Sequence, residues 1–182
     1  MRRLEDLPMR FNIRRSDVAW VAFLTLIFFI IDIGLFLEQS ITIPVEGATP
    51  KDWNKTSFWK EPWGKSKVHK GIDIFAHRGA HALAAASGWV IYQDYLELGG
   101  NVLMILDTKG RVHYYAHLDS TSVSVGAWVK RGSVVGNTGN ARGRPIHLHY
   151  SIMSLIPYPS HYAERTEGWK LMFYLNPNDY LH

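Results

Sequence analysis

Three short segments hold residues whose types and spacing suit hydrolysis at a metal ion. The first, His69-Lys70-Gly71-Ile72-Asp73, sets an imidazole and a carboxylate four positions apart. In an extended strand, residues 69, 71 and 73 share one face. Gly71 carries no side chain, which leaves room there for an ion close to the backbone. The second, His147-Leu148-His149, aims two imidazoles into the same space. The third is Tyr115-Ala116-His117, on a stretch where His113, Tyr115 and His117 would share a face. The chain has no cysteine, so thiolate zinc sites, disulfides and thiol nucleophiles are excluded. Any metal must be held by His, Asp or Glu. Two histidines and a carboxylate are a common ligand set for catalytic zinc, with a fourth position left for water. Zinc lowers the pKa of that water towards about 7 and polarises a carbonyl. A further histidine can take the water's proton or stabilise the developing oxyanion. His69, Asp73, His117, His147 and His149 supply both jobs, and spacing alone does not divide the jobs among them.

Taken singly these patterns are weak, because an H-x-H pair is more often two surface or core histidines. His113 either lines the site or sits at its margin. His77, His81, His161 and His182 lie in loop or tail contexts and read as solvated.

The segments need strands to position them. Residues 71–75, 89–95, 101–107, 111–118 and 147–153 are rich in β-branched and aromatic residues, with Gly or polar clusters between them. Residues 107–111 read as a hairpin turn with glycine in the left-handed position. No amphipathic helix follows residue 37. Many short strands with Gly-rich turns predict an all-β domain, a small antiparallel β-sandwich or barrel-like fold. Residues 38–68 hold Pro44, Pro50 and Pro62 and read as a connector lying against the domain, with Trp53, Phe58, Trp59 and Trp63 available to pack. The resulting organisation is a connector over 38–59, a working domain over 60–153 and a Pro- and aromatic-rich extension over 154–182 that packs on it.

Ahead of these lies VAWVAFLTLIFFIIDIGLFL at 18–37, interrupted only by Asp32. As a helix it would be roughly 30 Å long, the thickness of a bilayer core. It exceeds a secretory h-region of about 7–15 residues and no A-x-A-like cleavage site follows, so it reads as an uncleaved transmembrane anchor. Asp32 reads as a tolerated off-centre polar residue. Arg2, Arg3, Arg10, Arg14 and Arg15 precede the span and no Lys or Arg follows until Lys51. The positive-inside rule then keeps residues 1–17 in the cytoplasm and places the working domain outside. A formal charge of +4 suits an anionic neighbour such as a membrane surface or an acidic wall polymer. No dense basic patch interleaved with aromatics points to nucleic acid.

The stretches HKGIDIFA at 69–76, AAASGWVIY at 84–92, GGNVLMI at 99–105, YYAHL at 114–118 and GNTGNARGRPIHLHYSI at 136–152 resemble the lysostaphin/LytM-type zinc metallopeptidases, which cut peptide bridges of bacterial peptidoglycan. The resemblance covers about residues 60–153. It implies zinc ligands at His69, Asp73 and His149, and catalytic roles for His117 and His147. It also implies a peptidoglycan peptide as substrate and a bacterial inner-membrane location with the domain facing the periplasm. Relatives of this type that have lost zinc ligands serve as activators of other wall enzymes; this chain keeps all the implied positions. It departs from the family in VKRGSVVGNTG at 129–139, where relatives usually carry a few more residues, and in His77 and His81. Two rival readings are a non-hydrolytic binding or activator module of the same fold, and a lipoyl- or biotin-carrier-like domain with Lys109 at a hairpin tip. The second leaves the histidines unexplained.

Overall fold

The computed structural model describes residues 14–36, 40–140 and 143–181. Two compact units divide the chain, residues 1–37 and 38–182.

In the first unit, α1 runs over Arg15–Phe36. Asp17 reaches back to accept the Arg14 backbone N–H at 3.0 Å, half of a capping box. The described side chains Val18, Trp20, Val21, Phe23, Leu24 and Leu26 are all about half exposed or more. The transmembrane anchor expected over 18–37 is not upheld. Among the described residues no helix is long and apolar enough to cross a membrane. The apolar side chains described run from residue 18 to 26, about 14 Å of helix against a core of about 30 Å. Residues 1–13 and 37–39 and the Asp32 side chain lie outside the described residues.

In the second unit the strands are β1 (Ile72–Phe75), β2 (His81–Leu83), β3 (Gly88–Leu96), β4 (Gly100–Asp107), β5 (Arg111–Thr121), β6 (Trp128–Val129), β7 (Val134–Thr138), β8 (His147–Ser154) and β9 (Tyr174–Leu175). All pair antiparallel within one connected sheet, ordered β1-β8-β5-β4-β3-β6, with β7 between β2 and β5 and with β9 on β8. The sheet turns a corner on β5. Its first part pairs with β8 as far as Ala116, and after an irregularity at residues 118–120 its end pairs with β7. The expected antiparallel β fold is therefore present, as one sheet that branches at β5.

Alternation decides what each strand buries. Ile72 and Ile74 of β1, and Leu148, Tyr150 and Ile152 of β8, point into the core, where Leu103, Ile105 and Tyr115 meet them. Asp73, His147 and His149 are thereby turned to the other face. Residues the sequence assigned to a connector also build the core: Trp53 and Trp59 are buried, and their indole N–H groups donate to Asn178 Oδ1 and the Thr166 carbonyl. Leu175 and Leu181 of the extension are buried too.

Gly71 corrects one expectation. A Cβ there would lie 2.3 Å from the Tyr150 carbonyl oxygen and 2.5 Å from Ser151 Oγ. The missing side chain makes room for the β8 backbone, not for an ion.

His113 is not at the site's margin. It is fully buried, its Nε2 donating to Asp107 Oδ2 at 3.2 Å and its Nδ1 accepting from the Tyr150 hydroxyl at 2.7 Å. Asp107 also caps the β4–β5 turn, accepting from the backbone N–H groups of Lys109 and Arg111, while Gly110 takes the left-handed conformation expected there. Burial pushes the His113 imidazole below its ordinary range, outweighing the pull of Asp107. Burial would raise the Asp107 carboxyl, but hydrogen bonds from His113 and the Arg111 backbone hold it below the usual carboxylate range. The signs agree. Below about pH 6.5 the unfolded chain takes up the imidazole proton before the folded one does, and lower still the same holds for the carboxyl. Stability falls as pH falls. We expect the urea midpoint of the zinc-loaded protein to drop between about pH 7 and 5, and His113→Leu to flatten that dependence while costing about 1–3 kcal/mol at pH 7. An unchanged slope in the variant would remove His113 from the explanation.

Candidate metal centre

β8 brings the site together because it pairs with β1 on one side and β5 on the other. Asp73 lies opposite His149, and Ala116 lies opposite His149 on the far side. The small Ala116 side chain leaves the imidazole space. His69 comes from the segment before β1. Its Nε2 lies 3.0 Å from Asp73 Oδ1 and 3.1 Å from His149 Nδ1, and His149 Nδ1 lies 2.8 Å from Asp73 Oδ1. Among the described residues, His69, Asp73 and His149 form the group whose atoms could hold a metal ion.

The ring nitrogens facing away from this group are tied down. His69 Nδ1 donates to the Ser57 carbonyl at 3.0 Å, so in the neutral ring Nε2 presents its lone pair to Asp73. His149 Nε2 lies 3.1 Å from the Ser151 hydroxyl. Three electron-pair donors thus converge, with outer partners that fix each ring, as metal-bound histidines require. The donor set of two imidazoles and a carboxylate fits zinc. Burial would raise the Asp73 carboxyl, yet the hydrogen bonds and charge of His149 and His69, when those rings are protonated, hold it far below the usual carboxylate range. Burial pushes His149 down, against the pull of Asp73.

His147 and His117 stand beside this group. His147 Nδ1 donates to the Pro145 carbonyl at 2.7 Å. Its Nε2 is then the proton-accepting nitrogen; it is buried, has no hydrogen-bond partner and lies 3.6 Å from Asp73 Oδ1. The His117 ring centroid is 5.0 Å from that of His147 and 6.3 Å from that of His149. The structure also corrects the expected facing of β5. His113 and Tyr115 point into the core, whereas His117 lines the cleft with Tyr114 and Ala116. His117 has a left-handed backbone, φ 63°, fixed by its N–H donating to the Gly99 carbonyl and its carbonyl accepting from Gly139 N–H. That local reversal swings the ring across the strand. Burial, with the charges of His147 and His149 next, pushes its imidazole down to about 4, so it is neutral near pH 7.

His69, His117 and His149 line a cleft of about 590 Å³. Trp63 forms one wall and stacks on His69, centroids 4.1 Å apart. Tyr114 forms part of another, its ring edge-on to His149. Sequence reasoning passed over Ser57, Pro145, Ser151, Trp63 and Tyr114. Ser151 was findable, being two residues beyond His149 on the same face; the Ser57 and Pro145 contributions are backbone carbonyls and leave no sequence signal. His77 and His81 are exposed, as expected.

Residues 67–159, half of the chain, match the pattern of Peptidase family M23. The chain belongs to that family. It is 30% identical over 149 residues to the L-Ala–D-Glu endopeptidase of Bacillus subtilis (strain 168), covering 71% of this chain and 44% of that protein. It is 36% identical over 85 residues to the lipoprotein YgeR of Escherichia coli (strain K12), covering 46% of this chain and 34% of that one. The chain therefore spans less than half the length of these two relatives. The catalytic domain of lysostaphin from Staphylococcus simulans shares the fold, with a TM-score of 0.54 at 23% identity over 68% of this chain and 86% of that one. A zinc-containing peptidase from Vibrio cholerae has a TM-score of 0.52 at 26% identity, over 62% of this chain and 36% of that one. The M23 family is zinc-dependent, and the His-Asp-His group is one that could hold a metal ion in this member.

Proposed function

We propose that this chain is a zinc endopeptidase that hydrolyses an amide in the peptide part of bacterial peptidoglycan. The observation that supports it most is the convergence of His69, Asp73 and His149 next to a buried, unpartnered His147 Nε2. His69, Asp73 and His149 would hold the zinc. When bound, zinc supplies a Lewis acid for the scissile carbonyl and a more acidic water. His147 Nε2 receives the proton as the water adds to the carbonyl, because Nδ1 is committed to Pro145. A neutral His117 donates an N–H to the oxygen that gains charge in the tetrahedral species. Incubating the protein with purified peptidoglycan, with and without chelator, should release chelator-sensitive peptides identifiable by mass. Stoichiometric zinc with no release from any wall preparation would favour a binding or activator role instead.

The cleft's charge bears on the substrate. Lys65 pairs with Glu97 at 2.9 Å and Lys70 with Glu167 at 2.5 Å. Arg144, exposed over the Trp63 ring at 5.9 Å, has no carboxylate partner among the described residues. Among the described cations lining the cleft, it is the one left to meet a substrate carboxylate. We expect Arg144→Gln to lower kcat/KM about tenfold for a peptide with a free carboxylate beside the scissile amide, and to leave its carboxamide analogue nearly unchanged. Equal losses on both peptides would remove Arg144 from recognition.

Association with the cell envelope belongs to the same proposal. Its support is the lipoprotein relative and the uncovered apolar surface of α1, which gains roughly 25 cal/mol per Å² when buried. Recovery of the whole chain in the soluble fraction of cells expressing it would overturn this part.

A further inference from the structure

His69 is held from outside the family match. The match begins at residue 67, yet the ring's outer hydrogen bond goes to the Ser57 carbonyl, and its backbone pairs with the same segment. Trp59 N–H donates to the His69 carbonyl at 2.7 Å, and His69 N–H to the Lys60 carbonyl at 3.0 Å. That segment is gripped in turn by residues beyond the match's other end, at 159. Arg165 donates to the Trp59 carbonyl at 3.0 Å, and the Trp59 indole N–H donates to the Thr166 carbonyl at 3.2 Å. Tyr174 packs edge-on against Trp59 at 5.5 Å. Glu167 then ties Lys170 of its own turn to Lys70, the residue after His69.

The turn that aims these groups is built for one shape. Glu167 adopts a left-handed backbone, φ 53°, and a Cβ on Gly168 would fall 1.8 Å from the Ala163 carbonyl oxygen. The Lys170 and Lys70 ammonium groups hold the Glu167 carboxyl down at about 2, so it stays charged at any working pH.

We propose that residues 165–174 form a strap that positions His69 for the metal, with Arg165 and Glu167 as its positioning residues. The strap acts through Trp59 and Lys70 on the one ligand that lies outside the regular strands. Arg165 and Glu167 lie outside the cleft lining, whereas Tyr174 at the strap's end is part of it. The inference rests on the zinc-binding reading of His69.

The test is zinc affinity of the full chain, measured by competition with a chromophoric chelator. Loss of partners in a metal's outer shell costs about 10–100-fold in affinity. Arg165→Ala and Glu167→Ala should each weaken zinc by an amount in that range, with the zinc-free circular dichroism spectrum unchanged. Arg165→Lys and Glu167→Asp should regain most of the affinity. Unchanged zinc affinity in both alanine variants overturns the strap while leaving the site intact. So does a fall in zinc-free Tm that accounts for the whole loss and is not rescued by the conservative variants. A parent chain that binds no zinc overturns the metal reading itself, and the strap with it.

Discussion

Replacing His149 with alanine should abolish tight zinc binding and lower peptide hydrolysis by at least about 10³-fold. Of the three proposed ligands, His149 is the one on the central strand, between Asp73 on β1 and Ala116 on β5. The variant keeps His69 and Asp73, a pair too small to hold the ion against a chelator. A bound metal lowers the barrier of amide hydrolysis by several kcal/mol, and about 4 kcal/mol is 10³ in rate. Stability gives an independent readout. Zinc at about 1,000 times its dissociation constant adds about 4 kcal/mol to a folded state that alone binds it. The parent chain should therefore melt at a higher temperature with zinc than with chelator, and His149→Ala should melt alike in both. The fold itself should survive, since the imidazole faces the cleft and the neighbouring Leu148 and Tyr150 carry the core packing. A variant that still holds one zinc per chain and cleaves at the parent rate would show that the metal sits elsewhere.

Period-two alternation was the most legible feature of this chain. It located β1, β3, β4, β5 and β8 to within a few residues and put His147 and His149 on one face, because strand parity is a local property. It failed at His117, where a left-handed residue and an irregular register reverse the side chain relative to Tyr115. No rule of local spacing anticipates that, since the reversal is imposed by Gly99 and Gly139, distant in sequence. The short β2, β6, β7 and β9 were also missed: β2, β6 and β9 have two or three residues, too few alternations to register, and β7 lies in a Gly-rich stretch. Gly71 was noticed for the right reason, an absent side chain, but what fills the space is the β8 backbone. The connector and the extension were expected to pack on the domain. Trp59 and Arg165 do more than that, since Arg165 donates to the Trp59 carbonyl and the Trp59 backbone N–H donates to the His69 carbonyl. At α1 the composition was legible, but the span inferred from it was not upheld.

The second large effect separates the proton-handling histidines from the ligands. His147→Ala should lower kcat by about 10²–10⁴-fold while zinc stays bound with nearly the parent affinity. The reason is geometric. The Pro145 carbonyl takes the Nδ1 proton, which leaves Nε2 as the sole basic nitrogen, buried and pointed at the same space as Asp73 Oδ1. Deleting it removes the base without touching His69, Asp73 or His149. His117→Ala removes an N–H donor instead of a base, and the loss of one oxyanion donor costs about 10²–10³-fold. Both changes act on the transition state, so KM should move little in either variant. Because the two rings lie 5.0 Å apart and serve one event, their losses should not add. We expect the double variant to be scarcely slower than His147→Ala, since a stabilised oxyanion is of little use when no group accepts the water's proton. Fully multiplicative losses would mean that the histidines act in separate steps. Loss of zinc from His147→Ala would move that residue from the base to the ligand set, and His149 would then be the candidate for proton transfer.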